Sequence, residues 1–167
     1  MTTRKAIALA GLVLALAILS PASALAKRGG TDRPLKATIS GTVSLTVGTG
    51  AFTSDVTGVS SHLGEYTAHL EGNAAPDPLL GIYVGYGSIS WVADNGDELY
   101  GTFTLHTDAP PPAPHNTTLE ITMKGGTGRF ADARGRATST THVAPLRFDG
   151  MTLLNSVDGT ATGRISY

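Results

Sequence analysis

Residues 124–136 read KGGTGRFADARGR, a glycine-rich stretch built around a single phenylalanine, Phe130. A P-loop needs a Lys-Ser/Thr pair after its last glycine, and a dinucleotide-binding loop needs a third glycine that opens a helix. This stretch has neither feature. Glycine tolerates positive φ at little cost, so the pattern favours a sharp corner between two strands. We predict that Phe130 and Ala133 plug the end of a barrel at this corner, and that Gly135 begins the next strand.

Alternation with a period of two on both sides of the corner predicts strands. Residues 117–125, TTLEITMKG, alternate apolar and polar side chains, and no long segment after residue 36 has the 3.6-residue period of a helix. About eight such strands fit after residue 37, and without helices to cover the sheet edges they should close into a barrel or form a sandwich. We favour an all-β fold, an eight-stranded antiparallel up-and-down barrel. Its predicted interior contains Ile39, Val43, Leu45, Ile89, Trp91, Phe103, Leu105, Ile121 and Val157.

The clearest turn lies between residues 87–93 and 98–107. Asn95 and Gly96 form the preferred centre of a two-residue hairpin loop, because both residue types tolerate positive φ. We therefore expect these two segments to pair as neighbouring antiparallel strands.

The N-terminus has the layout of a secretory signal peptide. A basic start at Arg4 and Lys5 precedes an apolar run, and residues 24–26 read Ala-Leu-Ala, a small-residue cleavage pattern. The run is too short for a membrane span, which needs about 20 residues. We expect a signal peptide at residues 1–26, a flexible lead-in at 27–36 and one barrel domain at 37–167. The predicted location is secreted, extracellular or in the cell envelope, with no membrane span after cleavage.

Composition excludes several classes of function. The chain has 12 Lys and Arg against 13 Asp and Glu, a formal net charge of −1, so no basic face for nucleic acid is expected. It has no cysteine, which rules out disulfides, thiol chemistry and cysteine-based metal sites. The five histidines lack a familiar metal-ligand spacing. We therefore predict no metal site.

The corner at residues 125–135, GGTGRFADARG, resembles the corner motif of the dirigent proteins and of the wider allene oxide cyclase-like barrel superfamily. The segments TLEIT, ADNGDELYGTFT and SHLGEYT are similar to a bacterial secreted branch of this superfamily. The resemblance covers nearly all of residues 37–167 and implies an eight-stranded barrel with a pocket along its axis. Members act without metal or organic cofactor and often form trimers, so the resemblance also implies a homo-oligomer.

Three functions stay open from the sequence. The first is a non-catalytic barrel that binds a small apolar molecule. The second, implied by the resemblance, is a cofactor-free isomerase or cyclase, or a guide for radical coupling, which would need a buried acid or base. The third is a structural or interaction module of the cell envelope with a packed core. A cavity of about 300 Å³ or more with converging polar groups would favour the first two.

Candidate site residues follow from the expected interior and from the corner. A predicted bulge near Gly64 places polar side chains beside the cavity. The candidates for catalysis are Glu65, His62 and Arg134. The candidates for ligand binding are Tyr66, Trp91 and Phe103. The resemblance places Arg134 on the arginine of an Ala-Arg-Gly motif, where it either points inward at a ligand or ties down the corner with hydrogen bonds.

Overall fold

The computed structural model describes residues 30–167 of the chain. The predicted signal peptide at residues 1–26 and the first part of the lead-in lie outside the described residues. Within residues 30–167 the chain forms eight strands and one short 3-10 turn. The strands are β1 (Arg33–Thr46), β2 (Ala51–Ser60), β3 (Gly64–Asp77), β4 (Ile82–Ala93), β5 (Glu98–Thr107), β6 (His115–Gly126), β7 (Arg134–Phe148) and β8 (Thr152–Ser166).

The eight strands form a closed antiparallel barrel in which each strand pairs with its neighbours in sequence. Closure is made by β1 and β8, which pair along their whole length from Arg33 opposite Ile165 to Thr46 opposite Thr152. A closed barrel has no free sheet edge, so no helix is needed to protect one. The predicted eight-stranded up-and-down barrel is confirmed.

Alternation along each strand separates the barrel interior from its outer surface. In β6 every odd-numbered residue from His115 to Gly125 is buried, whereas the even-numbered side chains are exposed or partly exposed. The nine residues predicted for the interior are all buried or packed against the buried core, and Val157 is buried outside the main cluster. Alternation therefore identified the inner face correctly.

One boundary and one turn differ from the sequence prediction. β1 begins at Arg33, and Leu35 within it is buried, so residues 33–36 belong to the barrel and not to a flexible lead-in. β4 ends at Ala93 and β5 begins at Glu98, as predicted, but the turn between them is not the expected two-residue type, because only Gly96 has positive φ, at +83°. Asp97 accounts for the different turn, because its backbone carbonyl accepts the Ala93 N–H and its backbone N–H donates to the Asn95 side chain.

The two ends of the barrel differ in construction. We call the end formed by loops 61–63, 94–97 and 127–133 the closed end, and the end formed by loops 47–50, 78–81, 108–114 and 149–151 the open end. At the closed end, the 3-10 turn Gly128–Phe130 places Phe130 in complete burial beside Ala133. The predicted corner and plug are confirmed.

No helix among residues 30–167 is long and apolar enough to cross a membrane.

Candidate functional site

The barrel encloses a cavity of about 140 Å³ along its axis. One wall, formed by β1 to β4, is almost entirely apolar, because the inward positions of these strands carry aliphatic and aromatic side chains. This apolar wall includes Ile39, Val43, Leu45, Phe52, Val56, Leu70, Ala74, Tyr83, Ile89 and Trp91. The cavity is smaller than the volume of about 300 Å³ that would favour binding or catalysis. The interior is nevertheless not completely filled by side chains, and the remaining space faces mainly hydrocarbon.

A wider recess of about 590 Å³ lies at the open end. Leu45, Ala74, Tyr83 and Pro111 line both the recess and the cavity, so the recess lies directly outside the cavity. The rest of the recess is formed by the β1–β2 turn, the start of the proline-rich loop and Phe148. The geometry defines one direction of entry into the barrel, from the open end.

Exposed apolar side chains surround this entrance. We call the set of exposed apolar residues in or next to the open-end turns the apolar rim. The apolar rim consists of Val47, Leu79, Leu80, Leu146, Phe148 and Met151, each of which is more than half exposed. Grouped exposed apolar residues on a folded protein often mark a site of contact with a ligand or partner. Here they lie next to the recess, and Val47 and Phe148 form part of its wall.

The second wall of the cavity, on β5 to β7, carries a group of neutral polar side chains. We call it the polar strip and define it as Thr107, His115, Thr117, Ser139 and Thr141, all of which are buried and line the cavity. Strand register aligns three of them in one row, with Thr107 opposite Thr117 and Thr117 opposite Thr141. The same wall also carries apolar side chains such as Leu119, Ile121 and Met123, so the wall of β5 to β7 is mixed, whereas the wall of β1 to β4 is mostly apolar.

The predicted ligand-binding residues are partly brought together. Tyr66 and Trp91 both line the cavity. Phe103 is buried in the core, but it packs against Phe52, with ring centroids 6.0 Å apart, and does not line the cavity. Phe52 lines the cavity and contributes the aromatic surface that was expected from Phe103.

The Tyr66 hydroxyl is held by the barrel wall. It donates a hydrogen bond to the backbone carbonyl of Thr38, at 2.7 Å. Burial disfavours the phenolate and raises the pKa of Tyr66 to about 12. Tyr66 is therefore a neutral phenol at physiological pH, and its proton is already committed to a structural hydrogen bond.

The predicted inward orientation of Glu65 is wrong. Glu65 is exposed on the outer face of β3, and the residues on either side of it in the alternation, Gly64 and Tyr66, are partly or fully buried. The expected bulge near Gly64 is instead a tight turn at residues 61–63, after which Gly64 opens β3 with φ of +70°. The strand contains no bulge after this turn, so its residues alternate regularly. Side chains with the same parity as Tyr66 point inward, and Glu65 points outward.

His62 lies at the closed end, away from the cavity. Its Nε2 atom is 2.9 Å from the Pro34 carbonyl oxygen, and its Nδ1 atom is 3.2 Å from the Tyr167 hydroxyl. Tyr167 in turn contacts the edge of Phe130, with ring centroids 5.0 Å apart. His62 does not line the cavity and instead helps to seal the closed end.

Arg134 ties down the corner. Its Nη1 atom donates to the backbone carbonyl of Lys124, at 2.7 Å, and to that of Ala133, at 2.6 Å. The side chain does not line the cavity. Of the two roles considered for Arg134, the geometry therefore corresponds to the structural one, in which a guanidinium group satisfies carbonyls that the turn leaves without strand partners.

The Asp97 carboxylate links the β4–β5 loop to the corner. It accepts hydrogen bonds from the Asn95 side-chain amide, at 2.9 Å, and from the backbone N–H of Arg129, at 3.2 Å. These two hydrogen bonds stabilise the ionised form and lower the pKa of Asp97 below its ordinary value. The carboxylate thus acts as a structural anion at the closed end.

The sequence reasoning missed the polar strip, although a signal for it was present. Thr117 and His115 have the same parity as Leu119 and Ile121, so extending the alternation of β6 toward its start would have placed both inside. The proximity of Ser139 to this group could not have been read in the same way, because it depends on the register between β6 and β7.

Charged side chains are missing from the cavity wall. Among residues 30–167, those that line the cavity include no Asp, Glu, Lys or Arg. The same part of the chain contains no group of three or more His, Asp or Glu side chains placed to hold a metal ion. What the cavity offers to a molecule inside it is apolar surface, hydroxyl groups, one amide from Asn155 and the imidazole of His115.

Comparison of the chain with protein-family models, with curated proteins and with solved structures gives no match.

Proposed function

We propose that this protein is an exported barrel that binds a small, uncharged, mainly apolar molecule without transforming it. The observation that carries the proposal is the cavity of about 140 Å³, which is open toward the recess at one end and sealed by the corner at the other. An engineered apolar cavity of roughly 150 Å³ is large enough to bind benzene. A molecule with one six-membered ring therefore has a suitable size, and a longer one would extend into the recess.

The composition of the wall supports binding over catalysis. A cyclase or isomerase of the kind implied by the resemblance needs a buried acid or base, and no carboxylate among residues 30–167 lines the cavity. The three residues considered for catalysis lie outside the cavity as well. The remaining titratable groups on the wall are His115 and two tyrosines, of which Tyr66 is hydrogen-bonded to the backbone.

Export is the second part of the proposal, and it rests on the sequence of residues 1–26. A barrel outside the cytoplasm that holds an apolar molecule would carry or sequester it in an aqueous compartment. The absence of cysteine suits this role, since folding then requires no oxidation step.

The test uses Trp91 as an internal reporter. Trp91 is the single tryptophan of the chain and lines the cavity, so its fluorescence should change when the cavity fills. We expect saturable binding of methylcyclohexane, a neutral probe of suitable size that does not itself fluoresce. Native mass spectrometry of the protein from its own host should then identify the natural occupant.

Ala74→Leu is the variant that tests the position of the site. Ala74 is buried and lines both the cavity and the recess, so a larger side chain there should obstruct entry and weaken binding about tenfold or more. Ala51→Leu is the matched control, because Ala51 is exposed on the outer face of β2. If the probe gives no saturable signal and no molecule co-purifies, the proposal is wrong and a packed structural module replaces it.

A further inference from the structure

The polar strip contains buried groups whose hydrogen-bonding capacity is not used by the protein. Ser139 is only 2% exposed, and Thr117 is 8% exposed. Within residues 30–167 the one side-chain hydrogen bond to Thr117 is made to its backbone carbonyl, by the Thr141 hydroxyl, and none is made by the Ser139 hydroxyl. Both residues line the cavity. No fully enclosed side-chain N or O atom in this part of the chain lacks a hydrogen-bond partner, so the Ser139 and Thr117 hydroxyls face the open space of the cavity, where a bound molecule can reach them.

His115 provides an acceptor on the same wall. It is 7% exposed, and its Nδ1 atom lies 2.8 Å from the backbone carbonyl of Ala113. A carbonyl can only accept, so Nδ1 carries the proton, and in the neutral imidazole Nε2 is left as an acceptor. No protein donor for Nε2 is found among residues 30–167. A molecule that satisfies this nitrogen must donate a hydrogen.

Thr107 provides a donor at the end of the row. Its hydroxyl oxygen accepts the backbone N–H of Tyr83, at 3.0 Å, which leaves the hydroxyl hydrogen free to donate. The polar strip therefore has both donors and an acceptor to offer, and a hydroxyl is the simplest uncharged group that both donates and accepts. An ionised group is disfavoured, because no Lys or Arg among residues 30–167 lines the cavity to compensate its loss of water.

We infer that the polar strip selects the polar head of the ligand, and that the ligand is a small uncharged alcohol with an apolar body. Its hydroxyl lies at the centre of the polar strip, beside Thr117, and its hydrocarbon part lies against the opposite wall of β1 to β4. This inference rests on the proposed function and extends it by naming the ligand class and the residues that orient the ligand. A carboxylate of the same size would be rejected.

The test compares three probes that share one ring: methylcyclohexane, cyclohexanol and cyclohexanecarboxylate. The affinity of the wild-type protein is measured for each by Trp91 fluorescence and by ¹H–¹⁵N NMR titration. We expect methylcyclohexane and cyclohexanol to bind and the carboxylate to bind at least about tenfold more weakly than the alcohol at neutral pH, since a buried unpaired charge is costly. Cyclohexanol alone should shift the His115 Nε2 resonance, because it alone donates a hydrogen bond to that atom.

Two variants remove the polar groups with little change of shape. Ser139→Ala and Thr117→Val should each weaken cyclohexanol binding by roughly three- to tenfold, the effect of one lost hydrogen bond, and leave methylcyclohexane binding the same or slightly tighter. Thr140→Val is the matched control, because Thr140 is exposed on the outer face of β7. For each variant, the ratio of cyclohexanol affinity to methylcyclohexane affinity is compared with that of the wild type. A general effect of the variant on the fold changes both affinities and therefore cancels in this ratio.

The outcomes separate the two proposals. If no probe binds, the proposed function itself fails. A second outcome is that both neutral probes bind, but Ser139→Ala and Thr117→Val leave the ratio of cyclohexanol affinity to methylcyclohexane affinity unchanged. A third is that the His115 Nε2 resonance does not respond to cyclohexanol. Either result would show that the cavity binds apolar molecules and that the polar strip does not determine which of them bind. In that case water inside the cavity satisfies the strip, and the inference about alcohols is wrong.

Discussion

The closed end and the open end of this barrel use apolar residues in opposite ways. At the closed end, Phe130, Leu99 and Ile165 are completely buried. At the open end, Leu79 and Met151 are 93% and 70% exposed. The same eight strands run between the two ends, so we attribute the difference in burial of apolar residues to the loops.

Loop conformation explains the contrast. The corner at the closed end folds back over the barrel through the 3-10 turn Gly128–Phe130, which places an aromatic ring on the axis. The β3–β4 turn at the open end is short, and the Asp77 carboxylate accepts the backbone N–H groups of Leu79 and Leu80, which leaves both side chains outside. We conclude that stability is concentrated at one end and access to the cavity at the other.

The largest expected effect compares one phenylalanine from each end. Phe130→Ala should reduce the free energy of unfolding by about 3–5 kcal/mol, because it removes a fully buried ring and leaves a cavity. Phe148→Ala should change it by less than about 1 kcal/mol, because Phe148 is 57% exposed. Urea denaturation measures both values. Equal losses for the two variants would contradict the proposed difference between the ends.

The next largest effect on stability is expected from substitutions of two glycines, one at each end of the barrel. Gly128 and Gly81 both have left-handed φ, at +51° and +68°, so alanine should cost about 1–2 kcal/mol at either position. At Gly128 a Cβ atom would also meet the Asp97 carboxylate at 1.8 Å, whereas nothing lies within 4 Å of a Cβ at Gly81. Gly128→Ala should therefore destabilise the protein more than Gly81→Ala in thermal denaturation. A larger loss for Gly81→Ala would show that the corner is not tightly packed.

Arg134→Ala tests whether the corner arginine serves stability or binding. Loss of its two hydrogen bonds to backbone carbonyls should reduce the free energy of unfolding by about 1 kcal/mol. Probe affinity should stay within about twofold, a free-energy change of ~0.4 kcal/mol, because Arg134 does not line the cavity. If the variant bound the probe more weakly but had the same free energy of unfolding as the wild type, Arg134 would instead be a residue that contacts the ligand.

The smallest effect concerns pH at the open end. The backbone N–H groups of Thr152 and Met151 donate to the Asp149 carboxylate and lower its pKa below the ordinary value. A lowered pKa gives stability that is fully present above the unfolded pKa, near 3.9, and is lost as the pH falls through the folded pKa. Asp149→Asn should therefore be slightly less stable than wild type at pH 7, and the difference should disappear at acidic pH. Urea denaturation across this pH range measures it, and a difference that grew on acidification would contradict the assignment.

Much of the fold was predictable, because its main signals are local. Alternation in residues 117–125 identified β6 and its inner face, and the glycines around Phe130 identified the corner. The β4–β5 turn was predicted in the correct place but with the wrong type, since the hydrogen bonds of Asp97 are not evident from the preference of an Asn-Gly pair.

The candidate site was predictable only in part. Trp91 was correctly placed on the cavity wall by strand parity, and Tyr66 by its expected position beside the bulge at Gly64. Glu65 was misplaced, because a turn at residues 61–63 was read as a bulge, and a bulge reverses the faces of the residues around it. A single misread turn was enough to move a carboxylate from the outer surface to the interior.

The sequence by itself determined which residues form strands and which side of each strand is apolar, because both depend on neighbouring residues in the chain. Only the tertiary structure decided that one end is sealed and the other is open, and that Thr107, Thr117 and Thr141 share one row. These properties depend on register between strands that are separated by loops of different length. Register is set by the closure of the whole barrel, which no local pattern records.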